Sequence, residues 1–431
     1  MKFAAPESNK PTLSKLHRWS ASGWMTPTVL GVLGLGLILG SYEHTRGNLH
    51  KLRQTVATKT DEPVISSGPG GQDPVILTRH LEADDTEPEF LSATLLPGRG
   101  FNLWQLTAHI PGQGNVSLLA SPPVADAASL LAGTGADANG SASTNFGGAF
   151  LAPWAGQMAG TPAPGAGVLQ TQWQGQRLSF PASGLGSSLS VEGLLLDRGA
   201  DDLKITPLTD GQSARATFHA GSFRGSWPGD TDMTIQVELT GHTVDLTVTA
   251  RNIGTTAEPF GIGWHPLFAI PVGPRSEATL VIPSNSRLAP PNIRTGLSSG
   301  ALAPYDNSQP GFFRAGGTRL DHVSLDDSYV DLHAGLLADG STSELRDPAA
   351  GYGIRVTPLS NNVKTLRVIA PAEKSWVSIG PNMNVPNPMG REWDTPGSNG
   401  MVTLQPGDSV QWKVRLEIFS TPKVPNKASE Q

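Results

Sequence analysis

Apolar and polar residues alternate with a period of two along much of this chain. "TIQVELTG" at 234–241 and "TVDLTVTARN" at 243–252 each alternate between two faces, with Gly241 and His242 between them as the bend of a hairpin. "GIRVTPLS", "TLRVIAP", "WVSIGP" and "MVTLQPGDSVQWKVRLEIF" continue the pattern toward the C-terminus. The "PGD" at 406–408 reads as a turn, because Pro sets φ and Gly tolerates positive φ. Beyond the N-terminal region, hardly any stretch sustains a 3.6-residue period. The pattern therefore predicts one all-β domain over residues 82–420, built from antiparallel sheets packed face to face as a large β-sandwich.

The N-terminus follows another rule. Residues 24–42, "WMTPTVLGVLGLGLILGSY", carry no formal charge and are about as long as one membrane crossing. Lys10, Lys15 and Arg18 precede this run, and Trp19 and Trp24 fall at its expected interface. No small-x-small cleavage site follows convincingly, so an uncleaved signal-anchor is favoured over a removed signal peptide. The expected organisation is a basic leader at 1–23, an anchor at 24–42, a polar linker at 43–81, the β domain at 82–420 and a tail at 421–431. The expected location is the inner membrane, single-pass, with the β domain periplasmic or otherwise extracytoplasmic. Within that domain, the Ala-, Gly-, Ser- and Asp-rich stretch 125–143 reads as a long surface loop.

Composition narrows the chemistry. The 50 glycines and 36 prolines suit short strands joined by loops, and a net charge of -6 offers no footprint for nucleic acid. There is no cysteine, which removes disulfides and thiolate metal sites. The histidines show no metal-ligand spacing, and "GPGG" at 68–71 neither follows a strand nor opens a helix. Neither a metal nor a cofactor is expected.

The candidate chemistry starts at "PFGIGWHPLFAIP", residues 259–271, where His265 stands in an apolar run. A buried His needs partners for both ring nitrogens, so it is either a satisfied core residue or a pocket wall that moves protons. "NIGTTAEPFGIGWHPLFAIP" resembles the aldose 1-epimerase (galactose mutarotase-like) family, in which a Gly-x-Gly-aromatic-His-Pro-aromatic segment follows a strand ending in Asn. "NFGGAFLAPWAGQM" (145–158), "SVEGLLLD" (190–197), "VSLDDSYVDL" (323–332) and "WVSIGPNMNVPNPMGREW" (376–393) resemble further family segments in the same order.

The resemblance implies a galactose mutarotase-like supersandwich with the sugar in a groove on one sheet. It also implies a reaction that opens and recloses a pyranose ring, with His265 as the acid and Asp326 or Asp327 binding sugar hydroxyls. Three family positions differ. Gly380 stands where the general-base glutamate is expected, Gln157 where a sugar-binding Arg is expected, and Glu192 where a second His is common. Glu192 is the candidate replacement base, with Glu392 and Glu373 read as solvated surface carboxylates. Trp154 and Trp264, with Trp227 and Trp393, are candidate stacking platforms for a sugar. Asn382, Asn384 and Asn387, with Gln157, are candidate neutral hydrogen-bonding groups.

Two functions are carried forward. One is a membrane-anchored aldose 1-epimerase-like protein acting on a monosaccharide or glycan end. The other is a non-catalytic carbohydrate-binding domain serving cell-envelope polysaccharide machinery. The expected partners are thus a carbohydrate and, through the N-terminal segment, the membrane.

Overall fold

The computed structural model describes residues 68–422 apart from 80–84, 165–166, 185, 191, 293, 304–311, 314–315, 335–339 and 394–396. The apolar segment 24–42 and the leader lie outside the described residues.

Among the described residues the chain forms an eleven-stranded and a nine-stranded sheet, with two small sheets beside them. The pairs joining the strands are antiparallel throughout. The hairpin read from the alternation is present, with Thr231–Leu239 against Thr243–Asn252 and Leu239 opposite Val244. Burial along the first of these strands runs strictly in–out, as period-two patterning requires. At the 406–408 turn Gly407 takes φ 88° and its N–H donates to the Asn252 carbonyl at 2.8 Å.

One hydrophobic core contains residues of both sheets, as in a face-to-face sandwich. Val368 and Ile379 enter it from the larger sheet, and Val248 and Val414 from the smaller. Phe150 of the larger sheet meets Trp412 of the other edge-on, with ring centroids 6.5 Å apart. An edge-to-face contact of this kind contributes about 1 kcal/mol beyond its buried area.

Two boundaries differ from the expectation. The linker was expected to run to 81, yet Val75–Thr78 is a strand whose residues pair with Leu95 through Ser92. Just before it, Gln72 exchanges hydrogen bonds with the backbone of Ala200. Four residues carry too short an alternation to stand out beside a polar linker. The 125–143 stretch is not an open loop but a series of short helical turns with a small core of its own, formed by Leu96, Trp104, Ala127 and Leu131. Asp137 organises it by pairing with the buried Arg99 and accepting hydrogen bonds from the N–H groups of Gly133 and Ala142.

Glu258 is a fully buried carboxyl whose two oxygens share one donor, the Thr231 hydroxyl, at 3.0 and 2.9 Å. Burial first, and then the neighbouring Asp230 charge, push its pKa up from 4.5 to about 7 against the Thr231 hydrogen bond. The folded chain therefore holds more protons than the unfolded chain between those values, and stability falls as pH rises through the interval. At one to two kilocalories per pH unit, the loss amounts to about 3 kcal/mol. Denaturant titrations at pH 4.5 and 7.5 should show this loss in the wild type and its absence in Glu258→Gln.

Candidate functional site

Strand alternation determines which residues meet solvent on the outer face of the larger sheet. In the Gly263–Pro266 strand, Trp264 is fully buried and packs on Phe150 and Phe268, so His265 points the other way. The neighbouring Trp376–Asn382 strand sends Val377 and Ile379 into the core and Gly380 and Asn382 outward. Next to it, Thr365–Ala370 buries Leu366 and Val368 and turns Thr365, Arg367 and Ile369 outward, with Arg367 in register with Gly380. The Leu325–Val330 strand adds Asp326 and Ser328 to the same face.

Loops close this face into a pocket of about 330 Å³. Its lining includes Gln157, Glu192, Asp326, Ser328, Arg367 and Asn382. Glu192 is aimed by the turn that follows it. Gly193 takes φ 73°, and a Cβ there would lie 2.6 Å from the Ala152 carbonyl oxygen, so no other residue lets the loop lie this close. The Leu194 N–H donates to that same oxygen, which pins the loop.

The structure brings Glu192 and His265 together. Nδ1 of His265 is 3.3 Å from Oε2 of Glu192, and both side chains are largely buried. Oε2 is buried and accepts no aligned hydrogen bond among the described residues, so the contact is an ion-pair approach. Burial alone would raise the Glu192 carboxyl, but the His265 ring and the Arg367 charge outweigh it. The carboxyl is held below its ordinary value. Glu192 lines the pocket, whereas His265 stands behind it. A substrate hydroxyl in the pocket therefore meets the carboxylate first.

Asp326 and Asp327, taken together as sugar-binding candidates, both border the pocket but pair with different arginines. Asp326 pairs across the ladder with Ile369, which lines the pocket, and its carboxylate receives the Arg367 guanidinium. Asp327 pairs with Val368, a core position, and its carboxylate binds Arg287 at 3.1 Å. That ion pair borders a neighbouring cavity with Phe312 and Tyr329.

Several candidates lie elsewhere. Trp154 and Trp264 are completely buried, and Trp154 stacks on Trp227 with centroids 5.4 Å apart. Neither ring offers a face to a ligand, so the proposed stacking platforms are core residues. The Gly/Pro-rich context of Trp154 signalled a tight fold around the ring, not exposure. Asn384 is also buried. Its Oδ1 accepts from the Ala155 N–H, and its Nδ2 donates to the carbonyls of Ala155 and Val385. Asn387 binds the Ala159 N–H and the Glu392 carboxylate. These two asparagines hold the pocket's rim, while Asn382 and Gln157 remain at its surface. Asn382 also receives the Trp264 N–H at 3.3 Å. Arg367 was not singled out from the sequence, although a lone arginine at a polar slot of "TLRVIAP" was its signal.

A metal ion would need a cluster of donors, and no group of three metal-ligating side chains occurs among the described residues. What the arrangement offers is proton exchange with a neutral polar ligand. A carboxylate backed by imidazole and a guanidinium both line the pocket.

Comparison with other proteins agrees with this architecture. The chain resembles a galactose mutarotase-like protein from Clostridium acetobutylicum with TM-score 0.63 at 14% identity, covering 80% of this chain and 99% of that one. It resembles a galactose 1-epimerase from Lactobacillus acidophilus with TM-score 0.56 at 14% identity, over 81% and 99% of the two chains. An aldose epimerase homologue from C. elegans gives TM-score 0.57 at 14% identity, over 80% and 99%. At such identities the likeness establishes the fold. A comparison with curated proteins found no match. The sequence model for aldose 1-epimerase matches residues 166–417, a span that holds Glu192, His265, Asp326, Arg367 and Gly380. Matched over more than half its length, the chain belongs to the aldose 1-epimerase family.

Proposed function

We infer that the pocket binds the pyranose end of a sugar and interconverts its anomers, with Glu192 as the group that takes the anomeric proton. The observation that carries this reading is the Glu192 carboxylate, which lines the pocket while its buried Oε2 is held 3.3 Å from the His265 ring. A base works when it is ionised at the working pH, and the neighbouring His265 and Arg367 favour the ionised form. His265 backs the carboxylate and holds it in place, in the manner of a base–orienter pair. Asn382 and Gln157 supply neutral hydrogen bonds to hydroxyls.

A second reading is binding without turnover, and Gly380 favours it. No proton acceptor exists at the position where the family resemblance puts one. Such a domain would hold a glycan for cell-envelope polysaccharide machinery. Under either reading the uncharged run 24–42 and its basic leader support an inner-membrane anchor with the β domain on the outer side.

Anomer exchange of glucose, galactose and short oligosaccharides, followed by NMR with the full-length protein, separates the two. Exchange above buffer should fall on the order of 100-fold or more in Glu192→Gln. His265→Ala should lower it as well, because the carboxylate loses the ring that holds it in place. Saturation-transfer signals without exchange for any sugar would leave only the binding reading. The pH dependence has a definite sign. A base whose carboxyl lies below its ordinary value keeps working as pH falls, so exchange should hold steady down to about pH 4.5 and decline only beneath it.

A further inference from the structure

Arg367 occupies the outer face directly opposite Gly380, on the strand next to it. A Cβ at Gly380 would lie 3.6 Å from that of Arg367 and 2.7 Å from the Trp264 carbonyl oxygen, so the strands approach closely here. Gly380 contributes no side chain beside the guanidinium. Its side chain is 23% exposed, and Nη2 donates to Asp326. Among the described residues Nε and Nη1 have no protein partner, which leaves donors for a ligand. The strands run in the order His265, Gly380, Arg367 across the sheet. At roughly 4.8 Å per strand, the two flanking residues sit about 10 Å apart, with the glycine between them. A pyranose ring fits that interval.

We propose that Arg367 is a catalytic residue of the anomer exchange, its free N–H groups stabilising the alkoxide that forms on the ring oxygen. This rests on the reading of Glu192 as the base. Glu192 takes the proton from the anomeric hydroxyl, and the electrons of that O–H bond form the carbonyl at C1. The bond from C1 to the ring oxygen breaks, and its electron pair stays on that oxygen as an alkoxide beside the guanidinium. Rotation about C1–C2 presents the other face of the carbonyl. The alkoxide attacks it, and the former carbonyl oxygen recovers its proton from Glu192. No proton is consumed and no separate acid is required.

The arrangement also gives Gly380 a reason. A Cβ there would lie 2.7 Å from the Trp264 carbonyl oxygen, so a glutamate does not fit without a backbone shift. With the carboxylate on the 192 loop, the unpaired N–H groups of the guanidinium can act on developing charge, where a preorganised donor is most effective. The pocket also suits a neutral sugar better than an anionic one. Glu192 and Asp326 outnumber Arg367 in it, and Asp327 is already matched by Arg287.

The test is saturation kinetics of anomer exchange with the full-length protein, comparing wild type with Arg367→Gln and Arg367→Lys across pH. The expected result for Arg367→Gln is a fall in kcat of about 100-fold or more with KM changed by less than about threefold. Lysine, a point charge without the planar fork, should restore only part of the rate. It also decides the question if the glutamine variant does not fold. The wild-type profile should rise once, through Glu192, and then stay level into the alkaline range, because a guanidinium does not titrate there.

Two results would overturn the inference and leave anomer exchange standing. One is wild-type kcat in Arg367→Gln while Glu192→Gln is inactive. The other is a descending alkaline limb that disappears in His265→Ala, which would make histidine the acid. Absence of exchange by the wild-type protein for every sugar would overturn the functional reading itself.

Discussion

The alternation of side chains across the larger sheet is the constraint on which the rest depends. Trp264 must lie in the core, so His265 cannot; Val368 must, so Arg367 cannot; Ile379 must, so Gly380 falls on the outer face. The bulky residues packed between the sheets thus determine the register, and a slip of one residue would exchange the two faces entirely. The chemistry on the outer face is positioned by hydrophobic packing on the inner one. This is why the ladder between the Arg367 and Gly380 strands runs without a shift through the site.

Charge is distributed unusually around this scaffold. A carboxylate is absent from the central strand and present on a loop beside the histidine. A guanidinium is absent from the loop, where Gln157 stands, and present on a strand. The pocket keeps a carboxylate and a guanidinium but exchanges their positions. Glu192 tolerates its burial because two cationic or protonatable neighbours offset the lost hydration, whereas Glu258, with one hydroxyl and a nearby carboxylate, does not enjoy that compensation. The same side chain thus has opposite proton affinities at two places in one domain.

Much of the architecture was legible because period-two patterning is a local property. The 234–252 hairpin and the closing strands are visible from the sequence, and the order of motifs leads to the sandwich. The site was legible in part. His265 and Glu192 were named from separate segments, and the fold puts them in contact. Arg367 escaped notice because cross-strand register is a non-local fact; nothing near "TLRVIAP" says that a glycine lies opposite. The tryptophans misled for a related reason. Gly and Pro around Trp154 describe backbone turns, and turns wrap a core ring as readily as they expose one. Asn384 misled too, since a side chain satisfying three backbone groups looks the same in sequence as one awaiting a ligand.

That asparagine has a consequence for the shape of the pocket. By binding both backbone groups of Ala155, Asn384 sews one rim of the cavity to the strand end that forms its floor. Asn387 does the same for Ala159 a few residues on. A rim stitched in this way is part of the dish and not a hinged cover. The shape of this side of the pocket is therefore fixed by the backbone before any ligand arrives.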